Sequence, residues 1–197
     1  MVSHAHIVSW LFVLVIIQLE AWPCDDKSTP YNDDGNGDMA FLDRHRLRCY
    51  SKGMARFQLD LRTGEIRYEY FCCELPKNTI QFSFNTAFTF DGYGDVAYLD
   101  KQTVNCGNKA VITGFNLQRN LDGTKVRYNV ICREFINISY LQCYNDATSW
   151  QSDQNGDVQA LAKHNVKCAS GYFINMFSLQ ADNNWYQIRY LYRCCKP

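Results

Sequence analysis

The chain has 197 residues, ten of them cysteine, and its twenty Lys and Arg balance its twenty Asp and Glu. A neutral balance lacks the basic footprint of a nucleic-acid binder. Ten cysteines in a chain of this size point to disulfides formed in an oxidising compartment, and zinc is not their reading because no C-x-x-C pair and no Cys/His cluster at ligand spacing occurs.

Met1–Ala21 reads as a signal peptide. Ile7 to Ile17 is an apolar run interrupted only by Ser9, too short for a membrane helix, with His4 and His6 where Lys or Arg usually stands. Cleavage after Ala21 leaves a mature chain from Trp22 to Pro197 that holds all ten cysteines. No second apolar run follows, so the expectation is a secreted, soluble product without a membrane span.

The mature chain reads as a single domain, 22–197, of three repeats at about 24–75, 81–135 and 143–197. Each carries a Gly-Asp pair, Gly37-Asp38, Gly94-Asp95 and Gly156-Asp157, and eleven residues past each aspartate comes a cysteine: Cys49, Cys106 and Cys168. Next come paired strands. The first are ARFQLDL from Ala55, VITGFNL from Val111 and Tyr172 to Leu179; the second are EIRYEYFCC, KVRYNVICR and, in repeat three, Trp185 to Arg193. Apolar and polar residues alternate along them with the period of two that a strand imposes. The intervening turns, Arg62-Thr63-Gly64, Asn120-Leu121-Asp122-Gly123 and Ala181-Asp182-Asn183-Asn184, use residues that tolerate positive φ. No helical periodicity stands out. The most helix-like segment, Val158–Val166, aligns with Met39–Leu47 and Val96–Val104 and is read as non-helical.

The fold class is therefore all-β. No repeat is large enough to bury a good core alone. The three are expected to pack around a shared centre with approximate threefold symmetry, as a prism or a closed barrel. An open row of hairpins is the alternative, and it would leave Tyr and Phe faces in water.

The repeats also constrain the disulfides. Cys49, Cys106 and Cys168 are equivalent, as are Cys72, Cys132 and Cys194, which gives Cys49–Cys72, Cys106–Cys132 and Cys168–Cys194. Cys24 and Cys143 stand at one equivalent position, and Cys73 and Cys195 at another. Repeat two has lost both together, to Gln81 and Arg133. Joint loss pairs them as Cys24–Cys73 and Cys143–Cys195; the rival is a Cys24–Cys195 closure. Lacking that second tie, repeat two is expected to be the loosest unit.

Chemistry is sparse. Asp34, Asn36 and Asp38 invite a weak calcium reading. An EF-hand loop starting at Asp34 would put Met39 at the obligatory glycine and His45 at the bidentate glutamate, so no metal site is assigned and a capped turn is preferred. Asp38, Asp95 and Asp157, with Arg67, Arg127 and Arg189, recur either as structural partners inside each unit or as three shallow pockets for anionic or hydroxyl-rich ligands. His45 and His164 are equivalent, with Gln102 between them, and read as packing groups. No catalytic residue and no cofactor is assigned, and the chain is read as a non-enzyme, for it has no G-x-S-x-G, H-E-x-x-H or phosphate loop. Asn137 begins a sequon with Ile138 and Ser139 and is a glycosylation candidate.

The pattern Cys106…Gly114-Phe115…Arg127-Tyr128…Cys132, with Cys72-Cys73 and Cys194-Cys195 at the ends of the other units, resembles the dermatopontin family, which includes haemagglutinin and amebocyte-aggregation relatives. Gly37-Asp38 ahead of Cys49, and Cys168…Phe177-Ser178-Leu179…Ile188-Arg189…Cys194-Cys195, are similar to the vitelline membrane outer layer protein family. The second resemblance implies a three-repeat β-prism. Both imply secreted extracellular layers, and the first implies proteoglycans, collagen-like fibres or cell receptors as partners. The expected function is a non-enzymatic extracellular matrix or adhesion protein that binds matrix polymers, cell surfaces or mineral, as a skeletal or shell matrix would require. The alternative is a glycan-binding lectin or agglutinin with quasi-equivalent sites in the repeats.

Overall fold

The computed structural model describes residues 22–76 and 78–197. The signal-peptide reading of Met1–Ala21 lies outside the described residues. Unit one contains β1 (Cys24–Ser28), β2 (Asn32–Asp33), β3 (Leu47–Arg48), β4 (Gly53–Arg62) and β5 (Glu65–Cys73). Unit two contains β6 (Thr79–Asn85), β7 (Thr89–Phe90), β8 (Thr103–Asn105), β9 (Ala110–Arg119) and β10 (Lys125–Phe135). Unit three contains β11 (Gln142–Ala147), β12 (Gln151–Ser152), β13 (Asn165–Lys167), β14 (Phe173–Ala181) and β15 (Gln187–Lys196). Among the described residues no helix is long and apolar enough to cross a membrane.

The strands form three antiparallel five-stranded sheets, ordered β1-β5-β4-β13, β3-β9-β10-β6 and β11-β15-β14-β8, with β2, β7 and β12 pairing beside β5, β10 and β15. Each sheet borrows one short strand from another unit. β3 of unit one pairs with β9 of unit two, β8 of unit two with β14 of unit three, and β13 of unit three returns to β4 of unit one. The lending is cyclic, so the hairpins are not an open row. Nor is there one closed barrel: each sheet ends at its own leading strand, β1, β6 or β11.

A β-bulge secures each loan. The register of the long strands shifts at Ala55, Thr113 and Asn175, which leaves one residue on each without a partner across the ladder. The freed carbonyl of Thr113 accepts the Cys49 amide at 2.7 Å, Asn175 accepts Cys106 at 3.1 Å, and Ala55 accepts Cys168 at 2.9 Å. The cysteine that follows each borrowed strand is therefore anchored to the neighbouring unit through its amide and to its own unit through its disulfide.

The core is shared among the units. Phe57, Phe115 and Phe177, one from each first strand, contact one another with ring centroids 4.9 to 5.2 Å apart. Tyr68 packs edge-on to Phe115, Tyr128 to Phe177 and Tyr190 to Phe57, at 5.5 to 6.0 Å. Edge-to-face packing suits the ring quadrupoles. These six side chains bury an apolar centre that no single unit could enclose.

Three sequence expectations need correction. Met39–Arg44, Val96–Lys101 and Val158–Lys163 are 3-10 helices, one per unit, each capped by the Gly-Asp aspartate and ended by Arg44, Lys101 or Lys163. Six residues are too few to display a 3.6-residue period, whereas an Asp cap with a basic final turn was a legible signal. The last return strand begins at Gln187, not Trp185. Trp185 has φ +61 in a turn where the Asp182 carboxylate accepts the amides of Tyr186 and Gln187. Finally, each unit has a leading strand ahead of the expected pair, so its sheet is three strands deep before borrowing.

Five disulfides join Cys24–Cys73, Cys49–Cys72, Cys106–Cys132, Cys143–Cys195 and Cys168–Cys194, and no cysteine is free. Cys24 lies directly across the ladder from Cys73, and Cys143 from Cys195; at the same register in unit two Gln81 faces Arg133. These are the pairs that follow from the joint loss in repeat two.

Candidate functional site

The three Gly-Asp pairs come together. A polar cup of about 300 Å³ is lined by Gly37, Asp38, Gly94, Asp95, Gly156 and Asp157, with Asn36, Tyr93, Gln154 and Asn155 at its rim. Each aspartate has one oxygen on a helix cap: Oδ1 of Asp38, Asp95 and Asp157 accepts the amides of Ala40, Ala97 and Gln159 at 2.7 to 2.8 Å. The glycines are needed twice over. Their φ values are +90, +90 and +84, and a Cβ on Gly37, Gly94 or Gly156 would fall 2.8, 2.6 or 2.7 Å from Asp157, Asp38 or Asp95 of another unit. The Gly-Asp pair is thus an inter-unit joint. The Val158 amide donates to the Gly37 carbonyl and the Val96 amide to that of Gly156, both at 2.8 Å.

The residues of the calcium reading are engaged in turns. Asp34 Oδ1 accepts the Asn36 amide at 3.0 Å, and its Oδ2 accepts Gln159 Nε2 of unit three at 2.6 Å. Among the described residues no three His, Cys, Asp or Glu side chains group closely enough to hold a metal ion.

The repeated arginines lie elsewhere. Arg67, Arg127 and Arg189 alternate with buried residues on the second strands and so project from the outer faces. Each guanidinium sits over an aromatic ring: Arg67 over Tyr31 at 4.4 Å, Arg127 over Phe88 at 4.3 Å and Arg189 over Trp150 at 4.4 Å. The aromatic residue stands seven positions before the Gly-Asp aspartate in every unit, a regularity that composition alone did not flag. The Asp38 and Arg67 families therefore do not meet in one pocket.

Charge separates the three stacks. In unit one Arg67 Nε donates to Asp60 at 2.9 Å and Nη2 to Glu69 at 2.6 Å, and Tyr31 adds a 2.6 Å hydrogen bond to Asp60. The Tyr31 hydroxyl, then Arg67, hold the Asp60 carboxyl below its usual range. In units two and three the partner is only an amide: Arg127 Nε donates to Gln118 at 3.0 Å and Arg189 Nε to Gln180 at 2.8 Å. Among the described residues neither guanidinium pairs with a carboxylate, as that of Arg67 does. Phe88 and Arg127 border a shallow depression of about 530 Å³ with Arg119, Asn120, Leu121 and Asp122.

His45 and His164 are structural. Each is 1 % exposed, and Nδ1 lies 2.8 Å from the hydroxyl of Thr29 or Thr148. Those hydroxyls accept the amides of Tyr68 and Tyr190 at 3.0 and 2.9 Å. In unit two Thr86 accepts the Tyr128 amide at 2.8 Å and donates to Gln102 Oε1. By equivalence the threonine proton goes to Nδ1, and the neutral imidazole carries its own on Nε2. Among the described residues Nε2 of neither histidine has a hydrogen-bond partner. Burial lowers both pKa values to about 4, so both rings are neutral near pH 7.

A third hollow, of about 390 Å³, lies where units one and three meet, lined by Trp22, Phe71, Tyr172 and Phe173 with Arg56 and Lys167 among them. The sequon Asn137 is exposed, with φ +67, in the turn after β10, a position open to a glycan. No protein-family model matches the chain, and neither the curated proteins nor the solved structures contain a match.

Proposed function

We propose that the protein is a secreted, non-enzymatic component of an extracellular matrix that binds anionic matrix polymers, the glycan chains of proteoglycans foremost. The observation that carries this reading is the stack on an aromatic ring of a guanidinium that has no carboxylate partner among the described residues, present on the outer faces of both unit two and unit three. A guanidinium offers two parallel donors to a sulfate or carboxylate, and an aromatic neighbour adds a platform for the sugar face. Two stacks on one rigid body favour a polymer with repeating acidic groups, because the second contact forms at high effective concentration. Five disulfides fit an oxidising, extracellular setting. The cyclic strand lending and the central phenylalanines support a three-sided β-prism as the architecture. The resemblances to the dermatopontin and vitelline membrane outer layer families point to the same kind of tissue, and a mineralised skeletal matrix is one such setting.

The test is retention on immobilised chondroitin or heparan sulfate. Arg127→Ala with Arg189→Ala should lower affinity at least about tenfold, since each charge-assisted bond is worth about 1.5–3 kcal/mol. Arg67→Ala, whose charge is already paired, should change little. Equal retention of the parent protein and both variants overturns the proposal. Binding that a neutral monosaccharide competes away, unaffected by the arginines, transfers the protein to the lectin reading.

A further inference from the structure

The leading strand of unit two is unlike its two counterparts. β6, Thr79–Asn85, closes its sheet on one side, and Ile80 to Ser83 are exposed in succession. Ile80, Phe82 and Phe84 share one face. Ile80 is 60 % exposed and Phe82 37 %, and the Phe82 and Phe84 rings stack with centroids 6.4 Å apart. From Thr79 to Phe90 the chain carries no charge. The counterpart β1 carries Asp25, Asp26 and Lys27, and β11 carries Asp146. Charges, prolines and bulges are the usual protections of a sheet edge. β6 has none of them, and its register against β10 runs without a shift from Thr79 to Asn85.

The edge is available for pairing on its free side. The Thr86 amide donates to Tyr128 of β10, so even-numbered residues of this strand bond inward and Gln81, Ser83 and Asn85 direct their amides and carbonyls away from the sheet. A partner strand must satisfy those groups and cover Ile80 and Phe82. The strand fits itself. In an antiparallel pair with its twofold axis at Ser83, Phe82 of each copy faces Phe84 of the other, and Gln81 faces Asn85. That arrangement opposes four aromatic rings on one face and amide side chains on the other, and no like charges meet because there are none.

We propose that two copies of the chain associate through β6, edge to edge, about a twofold axis at Ser83. The two three-unit bodies then share one continuous sheet, and the contact is isologous. A single strand edge with its apolar side chains is small beside a stable interface, so the dimer dissociates on dilution.

The experiment is sedimentation equilibrium on the secreted, disulfide-bonded protein over a wide concentration range. A monomer–dimer equilibrium is expected. Ile80→Lys and Phe82→Lys should each shift it to monomer at every concentration tested, with the melting temperature close to that of the parent. Ile80 faces Glu134 across the ladder, so a lysine there is accommodated in the monomer and keeps the test sound if Phe82→Lys folds poorly. Under mild oxidation Ser83→Cys should cross-link two chains, since residues on the axis face each other within disulfide reach, and Gln81→Cys should not. A strictly monomeric parent protein, or a dimer unchanged by both lysine variants, overturns the proposal. Equal cross-linking at positions 81 and 83 overturns the Ser83 axis.

Discussion

Units one and three tie their leading strands down with Cys24–Cys73 and Cys143–Cys195, whereas unit two has Gln81 facing Arg133 at the same register. The same two units bury a histidine beneath the threonine of the leading segment, where unit two has Gln102. The substitute does a similar job by other means. Arg133 donates to the Tyr50 carbonyl and to Thr79, and Gln102 Nε2 reaches Thr89 and the carbonyls of Ala87 and Val126. Unit two thus replaces one covalent and one titratable element with neutral or permanently charged hydrogen bonding. What distinguishes the units is how each leading strand is held, not the core they share.

The largest expected effect tests that shared core. Phe57→Ala, Phe115→Ala and Phe177→Ala should each cost about 3–5 kcal/mol, because each ring is at most 3 % exposed and its removal leaves a cavity. Chemical denaturation measures it, and a markedly cheaper Phe115→Ala would show that unit two stands apart in the centre as well. Next in size are the ties. Replacing Cys24 with Cys73, or Cys143 with Cys195, by serine pairs should cost about 2–4 kcal/mol. Gln81→Cys with Arg133→Cys should add about 1–3 kcal/mol to unit two, less what Arg133 contributes. Calorimetry of the three proteins would erase or invert the comparison.

Acid provides the third test. The folded pKa of His45 and His164, about 4, lies below the ordinary 6.5, so the unfolded chain takes up protons first as pH falls. The stability that these groups contribute is complete above about pH 6.5 and declines until about pH 4. At roughly 1.4 kcal/mol per pKa unit, the loss is on the order of 3–4 kcal/mol for each histidine. His45→Gln with His164→Gln should flatten that part of the stability–pH profile, and Gln102→His should steepen it by half again. The smallest effect is local: amides of β6 should exchange with solvent faster than those of β1 and β11, readable by hydrogen exchange at a concentration where the protein is monomeric.

Much of the frame was legible in the sequence because it recurs at fixed offsets from one aspartate. The disulfide pairs and the paired strands follow from that register. The Thr29, Thr86 and Thr148 hydroxyls, nine residues before the aspartate, and the aromatic residues Tyr31, Phe88 and Trp150, seven before it, carried the same signal and were open to the same argument. Equivalence says which residues share a role, however, and not which ones touch. Asp38 and Arg67 recur together, yet the first faces Gly94 of unit two and the second stacks on Tyr31. The cyclic loans of β3, β8 and β13 were hidden for another reason: two or three residues have no periodicity to read, and their partners lie in another repeat.

Those loans bear on how the molecule is made. Asn165 pairs with Gln58, so the first sheet is completed only by a segment from the last unit. Contacts of such sequence separation form late and slowly. During synthesis the first two units emerge with β4 lacking its neighbour and Phe57 and Phe115 waiting for Phe177. Until its C-terminal third has left the ribosome, the nascent chain therefore exposes apolar strands and is prone to aggregate. A shortened transcript that omits the third unit would yield an aggregating fragment rather than a smaller working protein.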